Sequence, residues 1–376
     1  MRIGLLAPSI YMSPTHFGDM IFAPRDLAVH LADGLAERGH EVYFFTAPDI
    51  QSKATVIAGD GRLLTEEYRI AKLAADGPSQ RATWASFYTR KRNYEADLTS
   101  KCFAKAQAGE LDVIHSFQDD LAHFFEDTTH VPVVYTLHDP LPATPKDLSH
   151  WLFSKFKNHR YVSISNSFRK NDTVGLRFIE TIYHGILPSQ FPFNSTPKDS
   201  FLFMGRMVPE KGLDDAMEAA IQADVPLLVG APIPEKGKES AYFLSRVQPH
   251  LADSHIHEVG VVNTRARMEL YANARALLFP IRWEEPFGIV MIEAMACGTP
   301  VIAYNRGSVS EVVRDGVTGF VINPQEGVAG LVNAIQRIGE IDRMACRKHV
   351  EDNFSVEKMV QEHEKMYQKI FDSKSA

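Results

Sequence analysis

Two carboxylates, Glu285 and Glu293, stand with seven residues between them in WEEPFGIVMIEAMACGTPVIA, Trp283 to Ala303. The segment follows an apolar run, Leu277–Pro280, that reads as a strand. Pro286 suits a first helical turn, where its missing N–H costs nothing. Ile289–Ala296 continues the helix, and Gly298 followed by Pro300 ends it. The N–H groups around Phe287, Gly288 and Ile289 then form a ready anion site, and Gly288 lets a ligand approach the backbone closely. Carboxylates beside such a site suit hydroxyl groups, as on a ribose or a hexose. Taken alone, the spacing also fits an ordinary amphipathic helix with two solvated glutamates.

A second segment carries the opposite charge. In FLFMGRMVPEKG, Phe201 to Gly212, a strand ends at Met204, Gly205 permits a tight turn, and a helix begins near Leu213. Arg206 offers a planar fork and Lys211 a compact charge, a pair suited to a diphosphate. A solvated loop with paired Lys and Glu is the plainer reading. In the first half, His138 stands just past the apolar run of VVYTLHDP, where a side chain faces a ligand edge or serves packing. Gly18 lies in the loop after the first strand, in HFGDMIFAPRDLAVHL. Asp19 beside it would repel a diphosphate, so this loop is also a candidate acceptor pocket with Arg25 as its anchor.

The elements that must position these residues are legible as alternation. Short apolar runs at Ile3–Ala7, Val42–Thr46, Val113–His115, Val133–Thr136, Tyr161–Ser165 and Thr181–Tyr183 alternate with helical patterns. DLAVHLADGLAERGH repeats leucine every four residues and closes on Gly39. After the proline-rich stretch 187–200, strands are expected at Phe201–Met204, Pro226–Val229, Ile256–Val259, Ala276–Phe279, Val301–Ala303 and Phe320–Ile322. Unbroken apolar strands between helices mean parallel sheets covered on both faces. The fold class is therefore α/β, with two doubly wound domains. Such sheets bind ligands outside the carboxyl ends of their strands, which here implies a cleft between the domains.

Composition narrows the class further. At 376 residues the chain exceeds one typical core, and its 45% hydrophobic and 23% charged residues are ordinary for a globular protein. A net charge of −7 does not suit a nucleic-acid partner. Cys102, Cys297 and Cys346 form no CxxC pair, which speaks against a disulfide framework or a structural zinc site. No HExxH pattern marks a catalytic metal. The N-terminus reads as a buried strand, and no run of about 18 apolar residues predicts a membrane span. The expected setting is reducing and cytoplasmic. No G-x-G-x-x-G follows the first strand, which disfavours a dehydrogenase.

Trp283–Ala303 resembles the E-x7-E signature of retaining glycosyltransferases of family 4, the GT-B fold of two Rossmann-like domains. Phe201–Gly212 resembles the basic loop of the same family, in which an Arg–Lys pair holds the donor diphosphate. Weaker similarities lie at Glu258–Gly260, at Tyr183–Gly185 with His184 in place of the usual Asn, at Arg306–Ser308 followed by Glu311, and at Asp315–Phe320. The resemblance is dense in the second half and only an outline in the first, where the family's Gly-Gly pair is reduced to Gly18. It implies an acceptor-binding domain over 1–190, a donor-binding domain over 200–354, and a C-terminal helix over 355–376 returning to the first domain.

The resemblance also implies roles. His138, Glu285, Arg206 and Lys211 would be catalytic. Gly18, Gly205, Gly260, Pro286, Phe287, Gly288, Ile289 and Glu293 would bind the donor, Glu293 through the ribose. No cofactor or metal is implied, the co-substrate being a nucleotide-diphosphate sugar, UDP-linked in preference to GDP- or ADP-linked. The acceptor, whether glycan, lipid or small molecule, is left open. Some relatives dock on membranes, and the basic aromatic stretches Phe153–Tyr161 and Thr89–Tyr94 allow a peripheral position at the inner membrane face; a solvated helix face is the alternative. The rival functions are a catalytically silent nucleotide-sugar-binding protein and a GT-B nucleotide-sugar epimerase.

Overall fold

A computed structural model describes residues 1–17, 22–64, 79–117, 120–234 and 241–375. The chain divides into two compact units. The first comprises Met1–Ile164, Asn171–Ile182 and Met359 onward; the second comprises Ser165–Lys170 and Tyr183–Lys358.

The first unit holds a seven-stranded sheet. Its strands are β1 (Arg2–Leu6), β2 (Glu41–Thr46), β3 (Thr55–Ala58), β4 (Val113–Ser116), β5 (Val133–Thr136), β6 (Arg160–Ser163) and β7 (Phe178–Thr181). They lie in the order β3-β2-β1-β4-β5-β6-β7, and every pairing is parallel. The chain order reverses between β1 and β4, the switch point of a doubly wound sheet. The helices α1 (Ala23–Glu37), α2 (Ser79–Gln107) and α3 (Leu148–Phe156) belong to this unit. β4 and β5 are buried along their whole length, as strands covered on both faces must be.

The second unit repeats the plan with six strands. These are β8 (Phe201–Met204), β9 (Leu227–Gly230), β10 (Ile256–Glu258), β11 (Leu277–Phe279), β12 (Val301–Tyr304) and β13 (Gly319–Ile322). Their order is β10-β9-β8-β11-β12-β13, again wholly parallel. The switch point lies between β8 and β11. A short helix, α4 (Asn166–Lys170), also belongs here. It is followed in this unit by α5 (Leu213–Gln222), α6 (Thr264–Asn273), α7 (Ile289–Ala296), α8 (Gly327–Arg337) and α9 (Arg343–Asn353). The last helix, α10 (Val356–Ser375), starts in the second unit and continues in the first from Met359. Among the described residues no helix is long and apolar enough to cross a membrane.

One strand falls outside the expected set, and two expectations are corrected. β3 carries no apolar run strong enough to be anticipated; all four of its side chains are at least partly accessible. β7 lies at Phe178–Thr181 rather than Thr181–Tyr183, because Phe178 pairs with Tyr161 while Tyr183 leaves the sheet and donates to Glu311 (2.8 Å). Pro286 stands outside its helix: α7 begins at Ile289 after a left-handed cap at Gly288.

Candidate active site

Both charged motifs follow the two strands that flank the second sheet's switch point. Gly205 and Arg206 leave β8, and the loop through Trp283 and Glu285 leaves β11. The geometry of a parallel sheet thus places Lys211 and Glu285 together although 74 positions separate them. The Lys211 ammonium donates to Glu285 Oε2 at 2.8 Å. The Trp283 indole N–H donates to the same oxygen at 2.8 Å. Glu285 Oε1 has no protein donor among the described residues, and the side chain is only 8% exposed. Lys211 also lies over the Trp283 ring, 5.0 Å from its centroid. Arg206 is exposed in the same loop.

Backbone close approach holds this arrangement. Gly205 is not among the glycines with positive φ; the residue that needs glycine in this loop is Gly212, at φ 69°. A Cβ there would stand 2.1 Å from the Pro280 carbonyl oxygen, so the β8 loop and the β11 exit touch through this hydrogen. Arg282 ties the same two loops. Its N–H donates to the Glu210 carbonyl (2.8 Å), and its guanidinium pairs with Asp214 (2.8 Å) and Asp215 (2.6 Å).

The loop before α7 is anchored from three sides. Ser165 Oγ donates to the Pro286 carbonyl at 2.7 Å. The Ser308 N–H donates to the Glu285 carbonyl and its hydroxyl to the Phe287 carbonyl (2.9 and 2.8 Å). Gly307, at φ 58°, lies against the Glu285 backbone, where a Cβ would meet its oxygen at 2.2 Å. The Arg306–Ser308 segment is therefore the cradle of Glu285. Phe287 is buried beside His184, with ring centroids 4.8 Å apart, which turns its side chain into the core and leaves its backbone for the loop. The cap residue Gly288 has no side chain to offer, and among the described residues no side-chain oxygen accepts from the N–H groups of the first turn of α7.

Glu293 is buried one to two turns inside α7, at 6% exposure. Its carboxylate accepts from the Tyr271 hydroxyl (3.1 Å) and pairs with Arg267 (3.2 Å). The Tyr271 hydroxyl is held protonated by burial and by this carboxylate, its pKa pushed well above the usual range. Arg267 and Tyr271 were not anticipated. Their i,i+4 spacing on α6 was a signal, but nothing in the sequence showed that α6 faces α7. Gly260, at φ 66° just after β10, has open space where a Cβ would lie.

In the first unit, His138 follows β5 by two residues. Its ring stacks on Phe117, 4.9 Å between centroids. Burial, with a smaller contribution from His363, pulls its pKa down to about 4, so it is neutral near neutral pH. Gly18 and Asp19 lie outside the described residues. Arg25 does not present an anchor: its guanidinium donates to the carbonyls of Tyr11 (2.7 Å) and Phe17 (2.8 Å), bracing the loop after β1. Of the two basic aromatic stretches, Thr89–Tyr94 is largely engaged within the unit. Arg92 pairs with Asp120, Lys91 with Glu95, and the Tyr94 hydroxyl donates to the Thr46 carbonyl. Leu148 and Trp151 of α3 are 89% and 59% exposed. Among the described residues no cluster of three or more His, Cys, Asp or Glu could hold a metal ion.

Comparison with known proteins agrees with this geometry. Residues 189–351 match the family model of glycosyl transferases group 1, and residues 27–189 match that of glycosyltransferase family 4. A glycogen synthase of Mycobacterium tuberculosis is 27% identical over 85% of this chain and 83% of its own. A D-inositol 3-phosphate glycosyltransferase of Geodermatophilus obscurus is 32% identical over 39% of this chain and 35% of its own. Among solved structures, a sucrose-phosphate synthase from Thermosynechococcus elongatus superposes with TM-score 0.70 at 20% identity, over 99% of this chain and 100% of the other. Anabaena HepE in complex with UDP gives 0.68 at 18% identity, over 98% and 100%. With two adjoining family matches, two Rossmann-like sheets, and charged motifs at a switch point, the chain belongs to the group 1 glycosyltransferases of GT-B fold.

Proposed function

We propose that the protein moves a hexose from a UDP-sugar to an acceptor hydroxyl with retention of anomeric configuration and without a metal ion. One observation carries the reading: a buried carboxylate and an ammonium meet at 2.8 Å, with the second carboxylate oxygen unclaimed among the described residues. A sugar diphosphate presents hydroxyls on one side of its scissile bond and anionic oxygens on the other. Glu285 Oε1 suits the hydroxyls; Lys211, Arg206 and the first turn of α7 suit the diphosphate. Glu293 would accept from ribose hydroxyls. UDP is preferred because a similar fold, that of HepE, is solved with UDP-glucose. The working place is the cytoplasm.

In this reading the acceptor oxygen attacks C1 from the face that the diphosphate leaves. The C1–O bond to phosphate breaks as the bond to the acceptor forms, and a β-phosphate oxygen takes the acceptor proton. Lys211 and Arg206 stabilise the charge gathering on the departing UDP. His138, neutral at working pH, would hydrogen-bond the donor sugar. Steady-state kinetics with a panel of nucleotide sugars test the assignment. Lys211→Ala should lower kcat/KM by about 100-fold or more, the scale of one lost preorganised donor to a developing anion. His138→Ala should lower kcat more than it raises donor KM. Wild-type turnover in the Lys211 variant would remove the diphosphate assignment.

A peripheral membrane contact has its own support. Leu148 and Trp151 project from α3, and the Lys155 ammonium lies 6.0 Å from the Trp151 ring. An apolar tip, an indole and a lysine suit the interface of an anionic bilayer. Co-sedimentation with phosphatidylglycerol vesicles should fall in a Leu148→Ser, Trp151→Ser variant; equal binding by variant and wild type would end this reading.

A further inference from the structure

The second sheet has an amino-terminal edge as well as the carboxyl-terminal edge that carries Lys211 and Glu285. Beneath that opposite edge lies a cavity of about 340 Å³. Arg275 enters it just before β11 and Pro300 just before β12; Phe193 and Ser195 come from the segment preceding β8, and Asp342 and Arg343 from the start of α9. Its volume falls near the lower end of the range for small-molecule sites, roughly 300–1,000 Å³.

Two guanidinium groups give this cavity its character. Arg343 is buried and makes no ion pair among the described residues. Its donors go to neutral oxygens: the carbonyls of Asn194 (2.6 Å), Ala274 (3.0 Å) and Ala272 (2.9 Å), and the Thr299 hydroxyl (2.8 Å). Burial and the nearby charge of Arg275 pull its pKa down to about 10. Arg275 lies against Gly339, with Nη2 3.5 Å from the position of a Cβ there. Its side chain makes no hydrogen bond or ion pair with the described residues. Two like charges therefore share one cavity, and neither forms an ion pair with a carboxylate among the described residues, an arrangement that costs energy unless an anion completes it. Asp342, the one acid in the lining, is spent on the helix cap, accepting from the Met344 N–H at 2.9 Å.

We propose that this cavity is a second ligand site, separate from the donor site, that takes phosphate or a small phosphomonoester. The Arg275 fork would bind the phosphate directly, while Arg343 supplies charge from behind. The apolar wall of Phe193, Pro300 and Ile341 would meet the body of a sugar phosphate. A ligand there joins the segment before β8 to α9, so its binding would stabilise the second unit from the edge opposite the reaction.

Thermal melts of the whole protein without nucleotide sugar test this. Sodium phosphate and a hexose monophosphate are titrated separately, each against sodium chloride of equal ionic strength. The expected result is a saturable rise in Tm with both phosphates and none with chloride. Arg275→Gln should weaken the apparent affinity by about tenfold or more, the loss of one charge-assisted interaction. Ser195→Leu, which adds bulk to the exposed part of the lining, should do the same without replacing either arginine. Lys211→Ala should leave the response intact, separating this site from the diphosphate site. A hexose phosphate that acts at lower concentration than phosphate identifies the phosphomonoester as the ligand; equal potency identifies free phosphate. A response unchanged in both Arg275→Gln and Ser195→Leu, or one abolished by Lys211→Ala, overturns the proposal.

Discussion

Glu285 shows how much a single side chain depends on its neighbours. Its charge alone says little; its place follows from the Lys211 ammonium and the Trp283 indole converging on one oxygen. With Oε2 committed, the rotamer is fixed and Oε1 is aimed. The indole donor was missed in the sequence because a tryptophan two residues from a glutamate is unremarkable until the loop folds back. Trp283→Phe keeps an aromatic ring, though a smaller one, and removes the N–H. It should lower kcat about tenfold, near the value of one hydrogen bond to a charged group, while donor affinity measured by calorimetry changes little. An unchanged kcat would show that Lys211 suffices to orient the carboxylate.

Among the elements, the exits of β8 and β11 matter most, and glycine decides how close they come. Gly212 was visible as the end of a motif, but its φ of 69° and its contact with the Pro280 carbonyl were not. Gly212→Ala would put a methyl group 2.1 Å from that oxygen in a backbone region alanine disfavours. The loops must then part. Stability to urea should fall by about 2–3 kcal/mol, and activity should fall with the Lys211–Glu285 contact. Retained stability with normal kinetics would mean the two exits need not touch. Pro286 illustrates the converse. Its residue type suits a first helical turn, yet Gly288 takes the cap and Ser165 holds the Pro286 carbonyl, so the helix begins later.

Across the whole molecule, histidine burial couples folding to pH. Within the first unit, His115 donates or accepts at Tyr367 (2.5 Å) and Thr136 (2.7 Å). His363 of α10 lies tilted against it, 5.3 Å between centroids, and bonds the Met359 carbonyl (2.8 Å). Burial lowers His138 and His363 to about 4, His123 to about 3, and His115 well below its usual value. The unfolded chain binds these protons near pH 6.5; the folded protein does not. The stability they allow is present above about pH 6.5 and is lost as pH falls toward 4. Urea melts should show a loss of about 1–2 kcal/mol per histidine between pH 7 and pH 5. A flat profile over that range would show that these rings are hydrated in the folded state.

The alternation of strands with helices, β3 excepted, the two-fold repetition of an α/β plan, and the charged motifs that leave β8 and β11 were all determined by local sequence. Apolar runs mark strands, and the loops that leave them carry the chemistry whatever the distant packing. Tertiary structure alone decided the rest. It showed that α6 faces α7 and hands Arg267 and Tyr271 to Glu293, that Gly212 rather than Gly205 is the constrained glycine, and that Arg25 serves the backbone. It also showed that Arg275 and Arg343 share a cavity beneath the sheet. The physical reason is common to all four: a periodic pattern fixes which face of an element is apolar, but a pair contact depends on which two faces meet, and that is settled only when the core is packed.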